Sequence, residues 1–173
     1  AVKGEGKTTL AANLAITFAL DGKKVILVDG DLRRSQMHKL FDLPKEHGIA
    51  DYLQGKLSAD QIIKPTSFPS LVIVTSGEQP HNPAELVGTQ RFEQLVHELR
   101  GKADLVLFDS PALLPVSDVI TMAPKIDGVV MVIRTLWTPA KAAKQARNQI
   151  LRIGCPIYGS ILNGVSRSKG YYP

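Results

Sequence analysis

A glycine-rich segment near the start of the chain has the composition of a phosphate-binding loop. It reads Gly4-Glu5-Gly6-Lys7-Thr8 and opens an apolar, helix-length stretch. Glycines at these positions let the backbone adopt positive φ angles, so that successive N–H groups point inward at an anion. The lysine would then reach the β- and γ-phosphates of a nucleoside triphosphate, the threonine hydroxyl would bind magnesium, and the helix dipole would add to the attraction.

The match to the common form of such a loop is incomplete. The common form has a glycine six residues before the lysine, where this chain has Ala1. A glycine-rich turn that only starts a helix is the alternative, but GxGKTT followed by LAANLAITFAL favours the phosphate loop. Such a loop normally follows a strand, and the sequence starts two residues before Lys3. We therefore expect that the chain is a fragment without its first strand.

Three aspartates lie at the ends of segments that have the pattern of buried strands. Asp29 closes KVILVD, Asp31 follows it closely, and Asp109 closes DLVLFD. Ligands of a doubly wound sheet bind beyond the carboxyl ends of its strands, and magnesium prefers hard oxygen ligands. Asp29 or Asp109 could therefore bind the metal directly or through water, while another carboxylate accepts a proton from an attacking hydroxyl. Asp31 could instead cap a helix that starts at Leu32, and Asp118 could equally be a cap.

Apolar runs alternate with helix-length amphipathic segments along the chain. The predicted strands span residues 24–29, 71–75, 104–109, 128–134 and 156–162, and the predicted helices span 7–21, 32–41, 83–100 and 139–153. The region 43–70 is less regular, with a short helical candidate near 58–63. The segment Asn82-Pro83-Ala84-Glu85 is a complete helix-start signal. This alternation predicts an α/β fold, a doubly wound and mostly parallel sheet with helices on both faces.

The bulk composition fits one soluble, cytosolic domain. Of the 173 residues, 44% are apolar, and no apolar run reaches the length of a membrane span. Cys155 is the only cysteine, and the four histidines lack metal-ligand spacing. The formal charge is +5, and its basic groups are not interleaved with aromatic residues, so no nucleic-acid partner is expected. A solvated surface explains this charge, and attraction to anionic lipid or an acidic partner is the alternative.

Taken together, the motifs resemble those of the bacterial tyrosine kinases of capsular and exopolysaccharide biosynthesis. The P-loop fold of these kinases is related to that of the septum-site and chromosome-partitioning ATPases, MinD and ParA. The resemblance covers nearly the whole chain and rests on the order of six motifs, which are KGEGKTTLAANLA, ILVDGDLRR, GIADYLQGK, TSGEQPHNPAEL, LVLFDSPALLPVSD and ILN. It implies an ATP-dependent autokinase with a single kinase domain over residues 1–173.

The resemblance also implies roles for individual residues. Asp29 and Asp31 match an acidic motif associated with magnesium and with activation of the tyrosine hydroxyl, and Asp109 matches the Walker B aspartate. Asn163 falls where related ATPases contact adenine, although an asparagine after a buried strand can also be a simple turn residue. The residues expected to contact ATP are Gly4, Glu5, Gly6, Lys7, Thr8, Thr9 and Asn163. Those expected to bind Mg²⁺ are Thr8, Asp29 and Asp109, and those with catalytic roles are Lys7, Asp29, Asp31 and Asp109.

Two departures from the related patterns bear on this interpretation. The partitioning ATPases have a signature lysine five residues before the loop lysine, where this chain has Val2, with Lys3 one residue later. The kinases commonly have proline after DLRR, where this chain has Ser35. The first departure favours a kinase over an ATPase switch that controls dimerisation or membrane attachment. That switch and a non-catalytic nucleotide-binding adaptor are the two alternatives.

The end of the chain adds a second kinase feature. Family members end in tyrosines that neighbouring subunits phosphorylate, and this chain ends SRSKGYYP. Residues 166–173 are therefore expected to begin a flexible tail with Tyr171 and Tyr172 as phosphoacceptors, although two tyrosines can also be ordinary residues near a terminus. The resemblance further implies a homo-oligomeric ring and a membrane-spanning polysaccharide co-polymerase, in trans or fused upstream. The domain would lie in the cytoplasm at the inner face of the cell membrane.

Overall fold

The apolar runs form a mostly parallel sheet in the computed structural model, which describes residues 1–165. Its strands are β1 (Val25–Asp29), β2 (Ile63–Pro65), β3 (Leu71–Val74) and β4 (Leu105–Asp109). Their order is β2-β3-β1-β4, with β1 parallel to both neighbours and β2 antiparallel to β3. Two more strands, β5 (Val129–Arg134) and β6 (Ile157–Asn163), form a separate parallel pair.

Helices cover both faces of the four-stranded sheet. They are α1 (Lys7–Leu20), α2 (Met37–Leu40), α3 (Ile49–Leu53), α4 (Ala59–Ile62), α5 (Pro83–Gly88), α6 (Gln90–Arg100), α7 (Asp118–Met122) and α8 (Ala140–Arg152). Alternate side chains of β1 enter different cores: Val25 and Leu27 pack with the alanines of α1, whereas Ile26 and Val28 join the core that contains Phe92 of α6. The predicted doubly wound architecture is therefore confirmed.

An apolar cleft of about 700 Å³ separates β4 from β5. Its lining includes Leu107 of β4, Met131 of β5 and Leu14 of α1. No strand within residues 1–165 joins the four-stranded sheet to the β5–β6 pair. The strand expected ahead of the phosphate loop and the single-domain boundary stay predictions.

The helix predicted over residues 32–41 is wrong in its first half. Only Met37–Leu40 is helical. Asp31 Oδ1 accepts the backbone N–H groups of Arg33 at 3.2 Å and Arg34 at 2.9 Å. These bonds hold the segment in a turn, because a short polar side chain competes with the helix for nearby donors. Asp31 is therefore not the cap of a helix that starts at Leu32.

The helix predicted over residues 83–100 is two helices, which are broken at Thr89. This residue is extended, with φ −71° and ψ 160°, and its hydroxyl donates to Leu86 O at 2.7 Å. Lys125 Nζ donates to Gly88 O at 2.8 Å and to Thr89 O at 2.9 Å, so the carbonyl groups freed by the break have partners. The predicted start is confirmed, since Pro83 is the first helical residue.

The other predicted elements are confirmed with small shifts at their ends. The short helical candidate near 58–63 is α4, where Gln61 Oε1 accepts the N–H of Ser58 at 2.9 Å. The last predicted helix is α8, with Pro139 at its N-cap. Within residues 1–165, every helix falls short of the length and apolar character that crossing a bilayer requires.

Candidate active site

The loop at residues 4–8 has the backbone shape that its glycines predict. Gly4 and Gly6 have φ angles of 83° and 85°, in the left-handed region that favours glycine. A Cβ atom on Gly6 would also collide with the amide of Asn163. Gly6 is the N-cap of α1, and no side chain within residues 1–165 caps this helix end. The first N–H groups of the helix and its dipole therefore point toward the loop, as an anion site requires.

Lys7 lies folded across this loop. Its Nζ donates to Val2 O at 3.1 Å and lies 3.7 Å from Glu5 Oε2. Glu5 is fully buried, and its Oε2 also accepts the N–H of Val2 at 2.9 Å. The Glu5 side chain thus braces the loop from inside. Any contact between Glu5 and ATP would therefore come through its backbone N–H.

Asp29 and Asp109 meet at the carboxyl ends of β1 and β4, where they are register partners. Asp29 is fully buried and Asp109 is 3% exposed. Asp29 Oδ2 accepts the N–H of Met37 at 3.1 Å. Asp29 Oδ1 is buried without a partner among residues 1–165. An unpaired carboxylate oxygen in the interior is costly, which is a reason to expect a ligand there.

The environment raises the pKa of both carboxylates. Burial, and then the charge of Asp109, raises the pKa of Asp29 to about 7. Burial is also the main cause for Asp109, whose pKa is raised to about 6, with a further increase from Asp31. The neighbouring Thr8 hydroxyl and the Lys7 ammonium partly oppose this increase for Asp109. The five side chains that were predicted to take part in the chemistry therefore lie close together, since the pKa of Asp29 or Asp109 responds to the others. They are Lys7, Thr8, Asp29, Asp31 and Asp109.

The oxygen atoms at this edge fit a magnesium ion. Asp29 Oδ1, the carboxylate of Asp109 and the Thr8 hydroxyl are all hard oxygen donors, the type that Mg²⁺ prefers. In the part of the chain that the structure describes, no group of three or more histidine, cysteine or acidic side chains could hold a metal ion by itself. A site for Mg²⁺ here would therefore depend on phosphate oxygens and water in addition to these residues, as is usual for this ion.

Asp31 is held at the edge of the site by an anchored loop. Its Oδ1 accepts two backbone N–H groups, and its side chain is partly exposed. Arg33, within the same loop, donates from Nε to both oxygens of Asp118 at 3.3 and 3.0 Å. Asp118 is buried and is the first residue of α7, after the N-cap Ser117. Asp118 is therefore an anchor for this loop and not a helix cap.

Sequence reasoning missed a turn that binds the outer side of the phosphate loop. Arg134 Nη1 donates to Gly4 O and Trp137 Nε1 donates to Lys3 O, both at 2.9 Å. Thr138 Oγ1 donates to Glu5 Oε1 at 2.8 Å. Arg134 is the last residue of β5, and Trp137 and Thr138 follow it, so the end of an apolar strand is the same signal that pointed to the aspartates.

The remaining residues that were predicted to contact ATP are Thr9 and Asn163. Asn163 donates from Nδ2 to Glu5 O at 2.9 Å and accepts the N–H of Gly164 at 2.9 Å. Thr9 is exposed in the first turn of α1. Contacts of either residue with ATP stay predictions. Tyr171 and Tyr172 lie outside the described residues.

Comparisons with known proteins identify the family to which the chain belongs. A family model described as the CobQ/CobB/MinD/ParA nucleotide binding domain matches residues 3–169. The tyrosine-protein kinase YwqD of Bacillus subtilis (strain 168) is 38% identical over 176 residues, which cover 99% of this chain and 74% of that protein. The chain belongs to the bacterial tyrosine kinases. The tyrosine kinase family and its nucleotide-binding domain, both expected from the motifs, are thereby confirmed.

Solved structures show the same fold. The kinase domain of the Escherichia coli tyrosine kinase ETK is similar with a TM-score of 0.93 and 33% identity, over 99% of this kinase chain and 68% of that one. The septum-site-determining protein MinD of Pyrococcus horikoshii OT3, complexed with Mg-ADP, is similar with a TM-score of 0.81 and 25% identity, over 96% of this chain and 68% of that one. The predicted P-loop fold of the MinD and ParA type is therefore confirmed.

Proposed function

We propose that the chain is the catalytic domain of an ATP-dependent protein-tyrosine autokinase that regulates polymerisation or export of a capsular polysaccharide or exopolysaccharide. The observation that carries the proposal is the meeting of the phosphate loop with three aspartates at one edge of the sheet. Pairing of β1 with β4 fixes Asp29 opposite Asp109, and the charge of Lys7 acts on Asp109. Phosphoryl transfer depends mainly on positioning and charge neutralisation, which such an arrangement supplies.

ATP would bind with its phosphates in the loop. The N–H groups of residues 4–8 and the N-terminus of α1 would bind the phosphate oxygens. Lys7 would exchange its bond to Val2 O for the β- and γ-phosphates, since a charged acceptor makes the stronger hydrogen bond. Thr9 would extend the phosphate site, and Asn163 lies where the adenine is expected.

Thr8, Asp29 and Asp109 would hold the magnesium ion, which neutralises charge on the phosphates when it is bound. Asp29 is fully buried, whereas Asp31 is partly exposed and fixed by two N–H groups. Asp31 would therefore orient the incoming tyrosine hydroxyl and accept its proton. The tyrosine oxygen would bond to the γ-phosphorus as the bond to the β,γ-bridging oxygen breaks, and ADP would leave.

The acceptors would be Tyr171 and Tyr172, phosphorylated by a neighbouring subunit of a homo-oligomeric ring. A membrane-spanning polysaccharide co-polymerase, separate or fused upstream, would hold the domain in the cytoplasm at the inner face of the membrane. Support for these parts of the proposal comes from the family resemblance and from the terminal sequence SRSKGYYP.

An ATPase switch is the second candidate, because the fold is also similar to that of MinD. Val2, in place of the signature lysine, favours the kinase. The two are distinguished by incubating the protein with ATP and Mg²⁺ and measuring both phosphotyrosine, by mass spectrometry, and released phosphate. Phosphate on Tyr171 or Tyr172 that is lost in Lys7→Ala supports the kinase, and Lys3→Ala is the matched control. Turnover of ATP without phosphotyrosine would contradict it, and tight binding with neither would indicate a non-catalytic adaptor.

A further inference from the structure

The last residue of β5 and the turn that follows it bind carbonyl groups of the phosphate loop. Trp137 Nε1 donates to Lys3 O at 2.9 Å. Arg134 Nη1 donates to Gly4 O, also at 2.9 Å. The indole ring lies against the backbone of Gly4, because a Cβ atom there would lie 3.3 Å from Trp137 Nε1. A side chain larger than hydrogen would crowd this contact.

Holding these carbonyl groups also fixes the direction of the loop's N–H groups. The peptide unit is planar, so the C=O of one residue and the N–H of the next point in opposite directions. The bond to Lys3 O therefore orients the N–H of Gly4, and the bond to Gly4 O orients that of Glu5. Asn163 extends the series, because it donates to Glu5 O at 2.9 Å and so orients the N–H of Gly6. Three successive donors of the anion-binding nest are thus set by side chains outside the loop.

The turn itself gains little from burial. Trp137 is 58% exposed, and Leu136 is fully exposed with a left-handed φ of 58°. Such a backbone conformation is unfavourable for leucine and persists only where surrounding contacts enforce it. The contacts here are local: the N–H of Thr138 donates to Arg134 O at 2.9 Å, and the Arg134 guanidinium lies 5.5 Å from the centre of the Trp137 ring. These local contacts therefore hold the turn in the conformation in which Arg134 and Trp137 reach the carbonyl groups of the loop.

We infer that Arg134 and Trp137 are positioning residues for the nucleotide, which act through the carbonyl groups of the phosphate loop. They preset the N–H directions that bind the phosphates. The inference rests on the proposed function in one respect, since it takes the loop as the ATP site. It adds two residues outside every predicted motif to the determinants of ATP affinity.

The test is to replace Trp137 by phenylalanine in the full protein. Trp137→Phe keeps an aromatic ring beside Arg134, although a smaller one, and removes the N–H donor to Lys3 O. Loss of one hydrogen bond that presets the loop should raise the Kd for ATP and Mg²⁺ by roughly three- to tenfold, measured by calorimetry. The KM for ATP should rise similarly, while kcat at saturating ATP and the unfolding temperature stay unchanged. Arg134→Met should change Kd in the same direction.

Leu136→Ala is the matched control, because it alters the same turn at a side chain that is fully exposed. Its Kd should equal that of the unaltered protein. An unchanged Kd in Trp137→Phe would overturn the inference, and so would an equal loss of affinity in Leu136→Ala. If the unaltered protein binds no ATP, the proposed function fails as well. If it binds ATP and only the variants disagree, the inference alone is wrong.

Discussion

Asp29 and Asp109 face each other in register at the ends of two adjacent parallel strands, and both are buried. Two carboxylates in such surroundings destabilise the fold when both are charged, because each loses water and gains a like charge. The same pair presents hard oxygen atoms to a divalent cation. The raised pKa values of Asp29 and Asp109 therefore indicate that this pair lowers the stability of the folded protein when no cation is bound.

The first prediction concerns stability without metal or nucleotide. A carboxylate whose pKa is raised on folding stabilises the folded state at low pH, and this contribution is lost as pH rises through the folded value. For Asp29 that value is about 7, against 3.8 ordinarily. The free energy of unfolding should therefore fall by on the order of 2–4 kcal/mol between pH 5 and pH 8. Chemical unfolding at the two pH values measures it.

Asp29→Asn is the matched variant for this measurement. An asparagine keeps the acceptor for the N–H of Met37 but carries no charge. It should unfold less readily than the unaltered protein at pH 8, and its stability should change less between the two pH values. Equal pH dependence in both proteins would contradict the assignment of the raised pKa to Asp29.

The second prediction concerns the proton that the protein releases when the cation binds. At pH 6.5, Asp29 is largely protonated because its pKa is about 7. Binding of ATP with Mg²⁺ should displace this proton, so the heat of binding should depend on the ionisation enthalpy of the buffer. This dependence of the heat on the buffer should vanish near pH 8.5, where Asp29 is already ionised. At pH 6.5 it should be smaller in Asp29→Asn than in the unaltered protein. Calorimetry in two buffers of different ionisation enthalpy makes the measurement, and heats identical in both at pH 6.5 would count against a carboxylate–cation site.

The third prediction concerns Lys7. Lys7→Met removes the ammonium group but leaves Glu5 bonded to the N–H of Val2 and to Thr138, so the fold should persist. The affinity for ATP should fall by roughly 10- to 100-fold, the range for a hydrogen bond to a charged group. Circular dichroism checks that the variant is folded, and calorimetry measures its affinity for ATP. Unchanged affinity in a folded variant would show that the phosphates bind elsewhere.

The fourth prediction concerns the ion pair between Arg33 and Asp118. Because this pair anchors the loop that carries Asp31, Arg33→Gln should lower kcat for phosphotyrosine formation by roughly 10- to 100-fold, since a misplacement of about 1 Å can cost on the order of 100-fold. The KM for ATP should stay the same, since Arg33 makes its side-chain hydrogen bonds to Asp118 and not to the phosphate loop. Arg34→Gln, at the neighbouring exposed position, is the control. A change in KM alone would assign Arg33 to ATP binding instead.

The parts of this site that sequence predicts are those encoded locally. An apolar run that ends in aspartate places a carboxylate at the edge of a parallel sheet, and glycines spaced around Lys7 specify the loop. These signals correctly predicted that Asp29 and Asp109 lie at strand ends and that residues 4–8 form a loop with positive φ angles at its glycines. The roles of these residues in binding stay predictions.

The parts that sequence missed depend on contacts between distant segments. The bond between Thr138 and Glu5 joins residues 133 positions apart, and no local pattern around either residue signals it. The helix predicted from Leu32 failed for a different, local reason. Asp31 accepts the N–H groups of Arg33 and Arg34, and Asp29 accepts that of Met37, so the segment before Met37 forms a turn.

Transfer between two variants, one without a working site and one without the acceptor tyrosines, tests the autokinase most directly. One protein carries Lys7→Met with its tyrosines intact, and the other carries Tyr171→Phe and Tyr172→Phe with an intact site. Mixed with ATP and Mg²⁺, they should form phosphotyrosine on the first protein, which mass spectrometry locates at Tyr171 or Tyr172. Neither protein alone should do so. Absence of phosphotyrosine from the mixture, with ATP still bound by the second protein, would contradict the proposed phosphotransfer between subunits.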